Sequence, residues 1–207
     1  MIADASASER AYQRLKSDIL SGLIPVGQLD IRLLSDSLRM SVTPVREALA
    51  RLSAERLVRL APHHGFVVTT PTARRLEHLY ELAGALIHLC LERVVRSRRH
   101  HPDQSYNLPL TGCYAADFAS LIGAITTAQP NLPLTETVMS LSDQLHSARR
   151  CEPRVFLSSG QEVAELVALW RNRNFGDLRL RLRDHHRTRL VRVDAIARLL
   201  SEENNAL

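Results

Sequence analysis

The stretch MSVTPVREALARLSAERLV, residues 40–58, places a polar Ser-x-Thr-Pro step and an Arg-Glu pair at the mouth of an apolar-striped segment. Val45, Ala48, Leu49 and Leu52 recur at i, i+3, i+4 and i+7, the spacing of one face of an α-helix. Thr43 is expected to cap this helix, with Pro44 at its first position, where a missing N–H costs nothing. Arg46 follows Val45 by about 100° of helix rotation, so it points away from the buried stripe. Packing alone does not require an arginine there.

Upstream, Ser6 and Glu9 have the spacing of a capping box. Tyr12, Leu15 and Ile19 follow at helical intervals until Gly22, a C-terminal stop. LIPVGQL, containing Pro25 and Gly27, reads as a turn. Asp30 can cap a short helix carrying Ile31, Leu34 and Leu38, and Arg39–Val42 forms the tight connection to the next helix. Downstream, VRLAPHHGFVV consists of two β-prone runs around Pro62-His63-His64-Gly65, a hairpin pattern. Three short helices and a two-stranded wing make a winged helix-turn-helix. In that fold the second helix of the turn pair enters the major groove of DNA.

This placement gives the polar residues work to do. Arg46 can donate two hydrogen bonds to guanine O6 and N7. Ser41 and Thr43 lie at the positive end of the helix dipole, suited to phosphate oxygens. His64 and Gly65 form the wing tip, where glycine permits close backbone approach and histidine can donate into the minor groove. Arg51, Arg56 and Arg59 read instead as a solvated face.

Residues 10–70 resemble the N-terminal domain of GntR-type bacterial transcription regulators. The S-x-T-P-V-R-E-A-L string and the glycine-tipped wing carry the likeness, which is greatest for the branch with an all-helical FCD effector domain (FadR/VanR-like). By that resemblance Arg32, Thr43, Arg46, His64 and Gly65 occupy DNA-contact positions. One departure stands out: the family usually places arginine between the Ser and Thr of the turn, and this chain has Val42.

TTPT, residues 69–72, reads as a linker. The expected organisation is a DNA-binding domain over 1–70, a linker over 71–75 and a helical domain over 76–207. A long helix runs from Ala73 to about Ser97, and RSRRHHPDQSYNLPLTG (96–112) is expected to be a loop. Helices follow over 115–128, 134–150, 159–173 and 177–200. The LRLRLR run at 178–183 alternates like a strand, but Leu182, Leu190, Val193, Ile196 and Leu200 continue at helical spacing. The overall fold class is therefore mostly α, with an antiparallel all-helical bundle behind the winged domain.

The helical part resembles the FCD domain in helix number and order. Many members of that family bind a divalent metal through an Asp, a His four residues later and two further His, and the metal orients a carboxylate effector. Position by position, those ligands fall here near Phe118, Ile122 and Val163, and only His185 is kept. Asp117 is adjacent but points elsewhere. The family's arginine for a carboxylate is replaced by Ala83 and Gly84. No metal site and no cofactor are expected, since one or two imidazoles do not close a metal site. His88, His146 and His185 are the candidate effector contacts, with His186 beside them.

Composition bounds the alternatives. The chain has 207 residues, 45% hydrophobic and 4% aromatic, with net charge +5. That permits a nucleic-acid partner without demanding one. Arg and Lys number nine against seven Asp and Glu over residues 1–70, and 18 against 15 in the remainder, so the basic charge is not concentrated in one block. Cys90, Cys113 and Cys151 are widely spaced, against a disulfide framework and in keeping with a reducing cytoplasm. No apolar run reaches the ~18 residues of a membrane span, and the N-terminus lacks a signal core. There is no H-E-x-x-H, G-x-S-x-G or phosphate-cradling glycine loop, so no enzyme is expected. The expected protein is a cytoplasmic, homodimeric regulator that binds a pseudo-palindromic operator in double-stranded DNA and responds, as a repressor, to a small molecule. The alternative is a DNA-binding regulator whose helical domain is closed and independent of ligand.

Overall fold

The computed structural model describes residues 6–96 and 107–205. The loop expected over 96–112 therefore lies largely outside the described residues, as does the start of the chain. The chain divides into two compact units. One comprises residues up to Thr70 together with the chain from Ser201, and the other is Pro71–Leu200.

The first unit is built on α1 (Ala7–Ser21), α2 (Ile31–Leu38) and α3 (Val42–Ala54). Its core gathers Ala11, Tyr12 and Leu15 from α1 with Val45, Ala48, Leu49 and Leu52 from α3, closed by Val58, Phe66 and Val68. The local signals act as their chemistry requires. The Ser6 hydroxyl accepts the Glu9 N–H at 3.1 Å, and Gly22 ends α1 at φ 79°. Asp30 accepts the N–H groups of Arg32 and Leu33 at 2.8 and 3.2 Å. Arg39, at φ 54°, turns the chain out of α2.

Polar contacts fix α1 on α3. Tyr12 donates to Glu55 at 2.8 Å, and Lys16 reaches the same carboxylate at 2.9 Å. Arg51 bonds Glu9 at 2.7 Å and lies 3.5 Å over the Tyr12 ring. Arg51 is thus a fastening residue rather than a merely solvated one.

The wing contains β2 (Arg59–Ala61) and β3 (Gly65–Val68), joined through Pro62–His64 as the sequence predicts. A third strand, β1 (Gly27–Gln28), pairs antiparallel with β3, Gly27 opposite Val68, to give the order β1-β3-β2. The expected two-stranded wing is therefore a three-stranded sheet. Two residues are too few to show an alternating pattern, so LIPVGQL read only as a turn.

The second unit contains α4 (Ala73–Arg96), α5 (Tyr114–Thr127), α6 (Leu132–Gln144), α7 (His146–Val155), α8 (Ser159–Arg171) and α9 (Phe175–Val191), with the first part of α10 (Val193–Asn205). The 178–183 run is helical, as its longer context predicts. Two expected helices are divided. The 134–150 segment breaks at Leu145, where the Ser142 carbonyl accepts Arg149 Nη1 at 3.1 Å. The last segment breaks at Arg192, whose N–H turns back to Arg189 O at 3.1 Å. Leu76, Leu91, Phe118, Leu121, Trp170 and Leu182 are among the fully enclosed core residues.

Candidate nucleic-acid interface and the helical-unit core

The apolar stripe of α3 is buried, with Val45 and Leu49 at 0% exposure. Its opposite face, carrying Thr43, Arg46 and Glu47, is exposed. Arg46 forms no ion pair among the described residues, so its guanidinium is uncommitted. Glu47 accepts a hydrogen bond from Ser8 on α1. Arg32 is exposed in the first turn of α2.

The start of α3 differs from the expected one. Val42, not Pro44, is its first residue, and Ser41 rather than Thr43 occupies the cap position. The Ser41 side chain makes no capping hydrogen bond, unlike Asp30 on α2. Its hydroxyl is therefore not consumed by its own helix, and the first N–H groups of α3 remain open to an external anion.

At the wing tip His63, His64 and Gly65 are all exposed. His63 sits at φ 63° and Gly65 at φ 65°, the left-handed region that glycine enters most cheaply. His64 donates its backbone N–H to Ala61 O at 3.2 Å, closing the turn. Every residue expected to contact DNA, namely Arg32, Ser41, Thr43, Arg46, His64 and Gly65, thus lies at the surface of one unit.

The second unit places His88 on α4, His146 on α7 and His185 on α9. His88 and His146 are half-buried and His185 is buried. His185 stacks on Phe118 with centroids 4.4 Å apart, and its Nδ1–H donates to Glu162 at 3.0 Å. Beside it, His186 donates Nδ1–H to the Leu182 carbonyl at 2.7 Å. Burial is the main cause that pushes His186 and His146 down to about 4, and it pushes His185 well below the usual histidine range. Burial lowers His88 too, and Arg183 and Arg179 add to the effect.

Around these imidazoles lies a buried polar network. Arg189 donates to Glu152 at 2.8 Å and to Glu162 at 2.9 and 2.6 Å. Tyr80 donates to Glu152 at 2.6 Å, and Tyr114 bonds its other oxygen. Burial alone would raise the Glu152 carboxyl, but Arg189 and the two tyrosines hold it below the usual range. Arg149, 1% exposed, lies 4.7 Å over the Phe118 ring and bonds Ser142, while its Nε has no partner.

The sequence pattern singled out His185 but not Arg189, Glu152 or Arg149. The signal for Arg189 was present: it follows Leu178, Leu182 and His185 on one helical stripe, so position alone placed it inside. Asp117 does point elsewhere, accepting Thr111 N, Thr111 Oγ1 and Gly112 N at 2.8, 2.7 and 3.1 Å. Gly84 faces His186, and a Cβ there would lie 3.1 Å from the ring. Among the described residues no three His, Cys, Asp or Glu side chains group so as to hold a metal ion, and no helix is long and apolar enough to cross a membrane.

Residues 7–68 match the family model described as bacterial regulatory proteins, gntR family. A transcriptional regulator of the HTH type from the TAR-I ttuE-ttuC' intergenic region of Agrobacterium vitis is 31% identical over 86 residues, 41% of this chain and 50% of its own. The gluconate operon transcriptional repressor of Bacillus subtilis is 32% identical over 96 residues, 46% of this chain and 39% of its own. The chain thus spans half or less of the length of these curated relatives. Among solved structures, E. coli McbR/YncC superposes with TM-score 0.65 at 18% identity, covering 92% of this chain and 98% of that one. A structure described as a GntR transcriptional regulator of Rhodococcus sp. RHA1 gives TM-score 0.69 at 18% identity, covering 91% and 98%. At that identity the likeness concerns the fold.

Proposed function

We propose that the chain is a sequence-specific transcription regulator, not an enzyme, whose DNA-binding part is residues 7–68, the stretch that matches the model of gntR-family bacterial regulatory proteins. The observation that carries this reading is the split character of α3. One face is locked into the core by Val45, Ala48, Leu49 and Leu52, and the other presents Arg46, which forms no ion pair among the described residues, while the Ser41 hydroxyl at the helix cap makes no capping bond. A helix so held can offer its first turn to base edges while the wing meets the neighbouring groove.

In the proposed mode two copies bind as a homodimer to the half-sites of a pseudo-palindromic operator. Arg32, Ser41 and Thr43 hold phosphates, Arg46 reads guanine, and His64 and Gly65 set the wing. Repression is the proposed sign of regulation, the one printed in the name of the gluconate relative. A cytoplasmic site of action follows from a DNA partner.

The family resemblance implies a divalent metal in the helical unit, and the residues here do not fit one. Phe118 stacks where a first carboxylate ligand would be, His185 spends Nδ1–H on Glu162, and Arg189 already supplies the cation between Glu152 and Glu162. A dication would have to expel a guanidinium from a buried, bonded site. Our reading is therefore metal-free. The same network favours the second reading, a helical unit closed on its own side chains, over response to an effector through His88, His146 and His185. Thermal-shift screening against small metabolites separates the two: a raised midpoint supports the sensor, and a flat screen supports the closed unit.

The function itself is tested by titrating labelled duplex DNA with the full-length chain across a range of salt. Saturable binding that weakens linearly in log–log form with salt is expected. No binding to any duplex at low salt would overturn the proposal.

A further inference from the structure

The exposed face of α3 holds more than donors. Val42, Thr43, Arg46, Glu47 and Ala50 line one shallow concavity on its surface. Val42 is 39% exposed and is the first residue of the helix. Glu47 is drawn back by Ser8 on α1. The concavity thus gathers one guanidinium, one hydroxyl, one carboxylate engaged by Ser8, and two apolar side chains.

Val42 contributes nothing to the buried stripe, which passes through Val45, Ala48, Leu49 and Leu52. An apolar side chain pressed against the floor of a major groove leaves polar base edges without partners, at a cost, unless it meets something apolar. The major groove has one such feature, the C5-methyl group of thymine. Val42 and Arg46 are one helical turn apart, so their side chains share a face and are offset by about 6 Å along the axis. With base pairs about 3.4 Å apart, that offset is about two steps.

We propose that Val42 is a specificity-determining residue that reads the methyl group of a thymine within about two base pairs of the guanine taken by Arg46. This rests on the DNA-binding reading above. Recognition at that step then depends on shape and dehydration.

The test begins by selecting duplexes from a fully randomised double-stranded library with the full-length chain. Thymine is then exchanged for uracil at each position within two base pairs of the required guanine, which removes a methyl and nothing else. Fluorescence anisotropy compares wild type and Val42→Ala. At one position the exchange should weaken wild-type binding about three- to tenfold, the order expected for a buried methyl. The same exchange should have a clearly smaller effect on Val42→Ala, because the two methyl groups that reach it are gone and only Cβ remains. Enriched sites that lack thymine in this window would overturn the inference and leave the DNA-binding reading intact. So would an exchange that is silent in wild type, or equally costly in both proteins. If no duplex is enriched, the DNA-binding reading fails and this one fails with it.

Discussion

Acidification should destabilise the helical unit, and the single tryptophan reports it. His186 is enclosed and its pKa is pushed to about 4. In the unfolded chain an ordinary histidine titrates near 6.5. Between those values the unfolded state holds a proton that the folded state refuses. Stability from this group is therefore complete above about pH 6.5 and is lost as the pH falls toward 4. At pH 5 the loss from His186 alone is about 2 kcal/mol, from 1.36 kcal/mol per pKa unit over the part of the window crossed. His146, half-buried and also near 4, adds a smaller share. His185 and His88 act in the same direction. A total of about 3 kcal/mol is a large part of a typical 5–15 kcal/mol domain stability. It should lower the melting midpoint by on the order of 10 °C between pH 7.5 and pH 5. Trp170 is the only tryptophan and is fully buried in the helical unit. Its emission therefore follows that unit and not the DNA-binding one. His186→Asn, which keeps a donor for the Leu182 carbonyl, should remove its part of the pH dependence. A Trp170 midpoint that moves by less than about 2 °C across this range would refute the burial argument.

Gly84→Ala should cost roughly 1–3 kcal/mol in urea denaturation. The new Cβ would meet His186 at 3.1 Å, which outweighs the ~1 kcal/mol that alanine normally gains over glycine inside a helix. Arg189→Met leaves the buried Glu152 without its cation and should destabilise by about 3–5 kcal/mol, of which a second change, Glu152→Gln, restores part. Elemental analysis of dialysed protein should find well under one divalent metal per chain, and EDTA should leave the Trp170 transition unmoved. A stoichiometric metal that survives dialysis would contradict the metal-free reading.

The winged domain was legible because its signals are local. Asp30 capping α2, Gly22 ending α1 and the period of Val45, Ala48, Leu49 and Leu52 are each decided within a few residues. The exposure of Arg46 followed from a rotation of one step past Val45. Strand β1 was not legible, because two residues acquire strand character only by pairing with Val67 and Val68. The break at Leu145 depends on an arginine turning back onto the Ser142 carbonyl, a tertiary choice with no periodic signature. The helical-unit core was half legible. His185 was picked out as an imidazole among apolar residues, whereas Arg189 and Glu152 looked like surface charges until their partners came from distant helices. Charged residues on an apolar stripe are the signal to weigh more heavily.

The central claim is that the free guanidinium of α3 reads a base. Wild type and Arg46→Ala should be titrated by anisotropy against the same selected duplex at fixed salt, with a duplex of scrambled sequence alongside. The account predicts that the alanine variant binds the selected duplex more weakly by roughly 1–3 kcal/mol, about five- to 150-fold, and loses most of its preference over the scrambled one. Equal affinity of the two proteins for the selected duplex, with preference intact, would contradict it.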